Sequence, residues 1–112
     1  MKLVLTATPS DARFAPIQFR GQPSEAFALA AEFGYDGVEL HLRNPNDIDR
    51  VAVRELSAKY NLPVTTLGTG MAAGEDGLTF SNPDPEIRRQ AVKRVQAHID
   101  LATEFNAAVI IG

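Results

Sequence analysis

The chain has 112 residues, 45% of them hydrophobic, and a formal net charge of −3, a composition that suits one globular domain with a buried core. It has no cysteine, which excludes disulfides, thiolate metal sites and cysteine nucleophiles. No apolar run approaches the ~20 residues of a membrane span. The start MKLVLTATPSDAR lacks the long apolar core of a signal peptide, so we expect a cytoplasmic protein with no membrane partner. The acidic balance, with no run of Lys or Arg, argues against a nucleic-acid partner.

The first part of the chain reads as strand, helix, strand. Strands are predicted over 2–8 and 36–42, separated by a loop over 9–22 and an Ala-rich helix over 23–33. Gly34 is a candidate C-terminal cap for that helix. The residues expected on its apolar face are Phe27, Ala30, Ala31 and Phe33.

The pattern repeats in the second part of the chain. Asn44 or Asn46 can cap a second helix that Asn61 closes. Its apolar positions are Ile48, Val51, Ala52, Leu56 and Tyr60. A third strand is predicted over 62–70 and a long loop over 71–83, with no helix expected to begin on the glycines of GTGMAAG, 68–74.

The strongest helix prediction covers 84–105, with Asp84 as N-cap and Pro85 in the first turn. Its expected buried stripe is Ile87, Ala91, Val95, Ile99, Ala102 and Phe105. An apolar last strand follows over 107–112, so the predicted order is βαβαβαβ and the predicted sheet is parallel.

Two folds share this order, an open doubly wound sheet and a (β/α)8 TIM barrel. The first strand–helix link has neither G-x-G-x-x-G nor G-K-[ST], which disfavours an open nucleotide-binding sheet. In DGVELHLRN, 36–44, Val38, Leu40 and Leu42 alternate with Glu39 and His41, as a barrel strand with a polar inner face would. We therefore expect the first half of a TIM barrel, with 1–112 as the incomplete N-terminal portion of one domain.

The stretches GYDGVELHL, LPVTTLGTG and NPDPEIRRQAVKRVQAHIDLATEFNAAVIIG, in this order and spacing, resemble the N-terminal half of the sugar phosphate isomerase/epimerase family of xylose isomerase-like TIM barrels. The resemblance implies proton transfer alpha to a carbonyl, with the enediolate stabilised by a divalent ion (Mn, Mg, Co or Zn). It also implies that the catalytic residues and metal ligands lie on strands beyond Gly112, so no metal ligand is expected on this chain.

Several residues are candidates for contact with the substrate. Glu39 and His41 lie on the inner face; they can ligate a metal, contact the substrate, or simply be satisfied in the core. Thr8 and Thr69 stand at strand ends, where they can meet substrate hydroxyls or cap loop backbone. The loop residues Arg13, Arg20 and Arg43 can bind an anionic group or remain solvated, and Glu75 and Asp76 can form a lid or a turn. No role is assigned to His98, which is placed at an interface or surface.

The function that follows is a metal-dependent sugar or sugar-phosphate isomerase or epimerase, expected to be a homo-oligomer whose partner is its small-molecule substrate. A keto-inositol dehydratase and the endonuclease branch of the same superfamily are nearby alternatives, although the net charge of −3 disfavours the endonuclease. A non-catalytic half-barrel that acts by self-association or partner binding is the rival from another class.

Overall fold

The computed structural model describes residues 1–11 and 16–112, which form one parallel sheet covered by helices on one face. The strands are β1 (Val4–Thr8), β2 (Phe19–Arg20), β3 (Gly37–His41), β4 (Val64–Gly68) and β5 (Ala108–Ile110). The helices are α1 (Pro23–Glu32), α2 (Arg50–Tyr60), α3 (Gly70–Gly74) and α4 (Pro85–Phe105), with a 3-10 turn at Pro45–Asp47. The strand order is β2-β1-β3-β4-β5 with every pair parallel, which confirms the parallel α/β fold and the half-barrel architecture.

The core lies between one face of this sheet and α1, α2 and α4. Alternate strand residues point to that face because side chains in a strand have a period of two. The buried residues on the strands include Leu5, Ala7, Val38, Leu40 and Leu67. The buried residues on the helices include Phe27, Ala30, Val53, Leu101 and Ala102.

Local sequence explains where the helices end. The Asp49 carboxylate accepts hydrogen bonds from the first backbone N–H groups of α2, and Asp84 caps α4 with Pro85 in its first turn. Asn61 and Asn106 end the two helices in the left-handed conformation, with φ of 53° and 52°. These caps make the links from helix to strand short, so the longer segments gather at the carboxyl ends of the strands.

Some predicted elements were wrong in detail. The segment 9–22 is not only a loop, because Phe19–Arg20 pairs with the end of β1 as an edge strand. A short helix, α3, does begin within 68–74. Asn44 caps the 3-10 turn, whereas the cap of α2 is Asp49.

The predicted helix stripes were also partly wrong. Phe33, Val51 and Ile99 were expected in the core but are exposed to 68%, 55% and 45%. On α4 the buried residues are Ala91, His98, Leu101 and Ala102, so the stripe is rotated toward His98. This histidine is fully buried and not at the surface.

The opposite face of the sheet carries the polar residues of the strands. The ladder register places Thr6, Glu39 and Thr66 side by side on β1, β3 and β4, with Ala108 of β5 next in the row. Thr6, Glu39 and Thr66 are half-buried and Ala108 is exposed, because no described helix covers this face. Within the described ranges, no helix is both long and apolar enough to cross a membrane.

Candidate functional site

Glu39 and His41 lie together on the uncovered face of β3, as their alternation predicts. The imidazole Nε2 of His41 lies 2.8 Å from the Glu39 Oε1 atom, and the Thr66 hydroxyl donates to Glu39 Oε2 at 2.5 Å. Both side chains are largely screened from solvent, with 25% of His41 and 15% of Glu39 exposed. The carboxylate is therefore held from two strands at once, by His41 on its own strand and by Thr66 on β4.

This pairing fixes which ring nitrogen of His41 is free. An ionised carboxylate only accepts hydrogen bonds, so Nε2 must carry the proton that it shares with Glu39. In the neutral ring Nδ1 is then an acceptor with an available lone pair. Nδ1 has no hydrogen-bond partner among the described residues, and the ring as a whole borders a cavity at the end of the strand.

The absence of a side chain at Gly68 leaves room for the His41 ring. These two residues are opposite each other in the β3–β4 ladder. A Cβ atom on residue 68 would lie 2.5 Å from His41 Nδ1 and 2.6 Å from Cε1, which is far inside van der Waals contact. The imidazole therefore rests on the bare backbone of β4, and a side chain at position 68 would displace it.

A cavity of about 340 Å³ opens beside this ring, at the carboxyl ends of β3, β4 and β5. Its walls include His41, Thr69, Met71, Glu75 and Ile110. The volume falls in the lower part of the range for small-molecule sites. In α/β folds the carboxyl ends of parallel strands are where ligands bind, so this cavity and the Glu39–His41–Thr66 group form the candidate site.

The two predicted threonines both use their hydroxyls on backbone. Thr8 is fully buried, and its Oγ1 accepts from the Ser10 N–H at 3.0 Å. Thr69 donates to the Ile110 carbonyl at 2.9 Å and so ties the ends of β4 and β5 together. Of the two, Thr69 borders the cavity, and a substrate contact for either remains a prediction.

The loop charges form a bridge at the edge of the site. Asp76 accepts from the guanidinium groups of both Arg43 and Arg94, at 2.7 Å from Arg43 Nε and 2.8 Å from Arg94 Nη1. The hydrogen bond from Arg43, followed by that from Arg94, lowers the pKa of the Asp76 carboxyl, and the same contact raises the pKa of Arg43. The predicted turn at Asp76 and Gly77 is present, and Asp76 in addition joins the segment after α3 to the segment after β3 and to α4. A lid role remains a prediction.

The other predicted loop residues are less informative. Arg13 lies outside the described residues, and Arg20 is exposed on β2. Glu75 is half-buried at the wall of the cavity. A role for any of them in binding an anion or closing the site remains a prediction.

His98 is the residue that the sequence did not reveal. Its Nε2 lies 3.0 Å from the Leu42 carbonyl oxygen, directly after His41, and its Nδ1 lies 2.9 Å from the Arg94 carbonyl oxygen. One turn earlier on α4, Arg94 Nη1 donates to the Arg43 carbonyl at 2.7 Å. Helix α4 therefore holds two consecutive carbonyl groups that follow the His41 strand.

The described residues do not by themselves provide a metal centre. Among residues 1–11 and 16–112, no group of three or more His, Asp or Glu side chains is arranged to hold a metal ion. The Glu39–His41 pair contributes one carboxylate and one imidazole that already bond to each other.

Comparison with known proteins defines the class. Residues 27–111 match the family described as xylose isomerase-like TIM barrel, so the chain belongs to that family. Its fold is similar to that of apo 3-keto-D-glucoside 4-epimerase from E. coli, with a TM-score of 0.66, 19% sequence identity and 99% of this chain covered. The chain spans 38% of the length of that epimerase. No curated protein sequence matches the chain significantly.

Proposed function

We propose that the chain forms one wall of the active site of a sugar or sugar-phosphate isomerase or epimerase, a reaction that moves a proton alpha to a carbonyl. The observation that supports this proposal most is His41, whose ring borders the strand-end cavity while Glu39 holds Nε2. Membership of the xylose isomerase-like family supports the reaction class. The similarity to the E. coli epimerase supports the fold on which such a site is built.

His41 would bind and orient the substrate in this site. With Nε2 bonded to Glu39, Nδ1 can accept a hydrogen bond from a sugar hydroxyl. Thr66 prevents Glu39 from turning away, because its hydroxyl occupies the second carboxylate oxygen at 2.5 Å.

A divalent ion is part of the proposed reaction, although the described residues do not form a site for it. We propose that the reaction uses a divalent ion (Mn, Mg, Co or Zn), which would act as a Lewis acid on the substrate oxygens. The described part of the chain contributes no complete ligand set, so those ligands would come from other residues of the protein.

Exchange of substrate hydrogen with solvent tests this proposal. The full protein would be incubated with Mn²⁺ in D₂O with a panel of ketoses and ketose phosphates, and deuterium at the carbon next to the carbonyl would be followed by NMR. We expect metal-dependent incorporation with at least one sugar, and a His41→Gln variant to exchange about 10–100-fold more slowly. Absence of exchange across the panel, or an unchanged rate in His41→Gln, would contradict it.

A salt-dependent affinity of the full protein for DNA would instead favour an endonuclease. The candidate site gives no reason to expect this, because no Lys or Arg is among the described residues that line its cavity.

A further inference from the structure

We propose that a second cavity, on the helical side of the sheet, binds the phosphate group of a small molecule. It has a volume of about 380 Å³ and lies between the 3-10 turn, the start of α2 and the middle of α4. Its polar lining is Asn44, Asn46, Arg50, Gln90, Lys93 and Arg94. None of these residues borders the cavity beside His41, so the two sites are separate.

The charge of the lining favours an anion. Of the described residues that line this cavity, three have cationic side chains, three have amide side chains and none has a carboxylate. Planar guanidinium groups and amide N–H groups are the donors that recognise phosphate oxygens in proteins. Two of these cations pair with carboxylates outside the lining, Arg50 with Glu104 and Arg94 with Asp76, so Lys93 supplies the remaining positive charge that an anion would meet.

The two arginines are fixed in place and still have donors to offer. Arg50 donates through Nη1 to Glu104 at 2.5 Å, and Arg94 donates through Nη1 to Asp76 at 2.8 Å. Among the described residues these arginines use only Nη1, which leaves Nε and Nη2 of each available. Each guanidinium is therefore oriented by one carboxylate before any ligand arrives, which reduces the entropy cost of binding.

Lys93 is the cation of this surface with the least compensation. Neighbouring Arg88 and Arg89 on α4 are used locally, by the Asn82 carbonyl and by the Glu86 carboxylate. Lys93 makes no hydrogen bond or ion pair with the residues that the structure describes. An ammonium group is a strongly hydrated point charge that suits a phosphate dianion.

Titration of the full protein with three probes tests the site: inorganic phosphate, a hexose 6-phosphate and the unphosphorylated hexose. Binding would be followed by the NMR signals of the side-chain amides of Asn46 and Gln90. We expect both phosphates, or the phosphate ester alone, to shift these signals saturably, and the neutral hexose to leave them unchanged. The first pattern means that the phosphate group suffices, and the second that the sugar adds contacts.

Charge variants distinguish a site from general attraction to a basic surface. Lys93→Gln should raise the Kd for the phosphate ester about tenfold, and Lys93→Arg should restore most of the affinity. Lys59→Gln, which removes the same charge from α2, should change the Kd by less than about twofold, as a distant screened charge would. Equal effects of Lys93→Gln and Lys59→Gln, binding of the neutral hexose, or no saturation would overturn the proposal. None of these results would affect the deuterium exchange expected at the His41 cavity.

Discussion

Nε2 of the buried His98 ring lies 3.0 Å from the Leu42 carbonyl oxygen, so a side chain of α4 contacts the backbone immediately after His41. The contact spans 56 positions of the sequence and joins the covering helix to the strand that carries the candidate site. His41 is the last residue of β3, and Leu42 follows it directly. The position of the His41 ring therefore depends on where α4 holds the end of this strand.

Replacing His98 should therefore cost stability and disturb His41. In His98→Leu both carbonyl oxygens beside the ring, of Leu42 and of Arg94, would lose this polar partner, and we expect a loss of about 1–3 kcal/mol in the free energy of unfolding. Urea denaturation of the full protein measures this. His98→Gln, which keeps an N–H donor, should lose less. A His98→Leu protein within about 0.5 kcal/mol of the wild type would show that the contact contributes little.

A methyl group at position 68 should move the His41 ring. The added Cβ of Gly68→Ala would lie 2.5 Å from His41 Nδ1, so the ring must leave its place against β4 and with it the Glu39 carboxylate. Nitrogen-15 NMR of the histidine ring would show the loss of the Nε2–Glu39 hydrogen bond. Gly74→Ala is the matched control, because nothing lies within 4 Å of the Cβ that it adds. If both variants give the wild-type His41 signals, the ring does not rest on Gly68.

The Glu39 carboxylate should matter for turnover more than for folding. Glu39→Gln keeps the shape of the side chain but removes the charge that holds His41 Nε2–H, and we expect turnover to fall about 10–100-fold. Steady-state kinetics on the sugar identified by deuterium exchange measure this. Glu32→Gln removes an exposed carboxylate from α1 and should leave turnover unchanged. An equal effect of the two substitutions would contradict a role for Glu39 in the site.

The Asp76 bridge predicts a pH dependence of stability. Because Arg43 and Arg94 lower the pKa of Asp76, its ionised form stabilises the fold above the ordinary carboxyl pKa of about 4. That contribution is lost as the pH falls through the lowered value. Asp76→Asn should destabilise the protein by about 1 kcal/mol at pH 7, the scale of partly exposed ion pairs.

Denaturation series at several pH values check this. The stability difference between wild type and Asp76→Asn should shrink steadily as the pH falls below about 4. Asp100→Asn, an exposed change on α4, should show little difference at any pH. A difference for Asp76→Asn that stays constant down to strongly acid pH would mean that the ion pairs are not its cause.

Elements with local signals were predictable from the sequence. Asp84 with Pro85 marked the start of α4, and Asn61 marked the end of α2, because caps act on their own backbone neighbours. The alternation of apolar and polar residues correctly predicted that Glu39 and His41 lie on one face of β3. Their bond to Thr66 depends on the register between β3 and β4, which only the folded sheet sets.

The errors arose where tertiary contacts decide. The edge strand Phe19–Arg20 is too short to show a period, and it exists because the end of β1 pairs with it. Val51 and Ile99 have helical spacing but lie on neighbouring stripes of their helices that face away from the sheet. The contacts of His98 could not be predicted from the sequence, because its partners are backbone carbonyl groups, which every residue has.

The most direct test of the account is the response of the His41 ring nitrogens to sugar. In long-range hydrogen–nitrogen NMR of the full protein, the ring without ligand should show a protonated Nε2 and an acceptor Nδ1. Addition of the sugar identified by deuterium exchange should shift the Nδ1 resonance and leave Nε2 bonded to Glu39. If Nδ1 does not respond to any sugar that exchanges, or if Nε2 is the nitrogen that responds, His41 does not face the substrate in the way described.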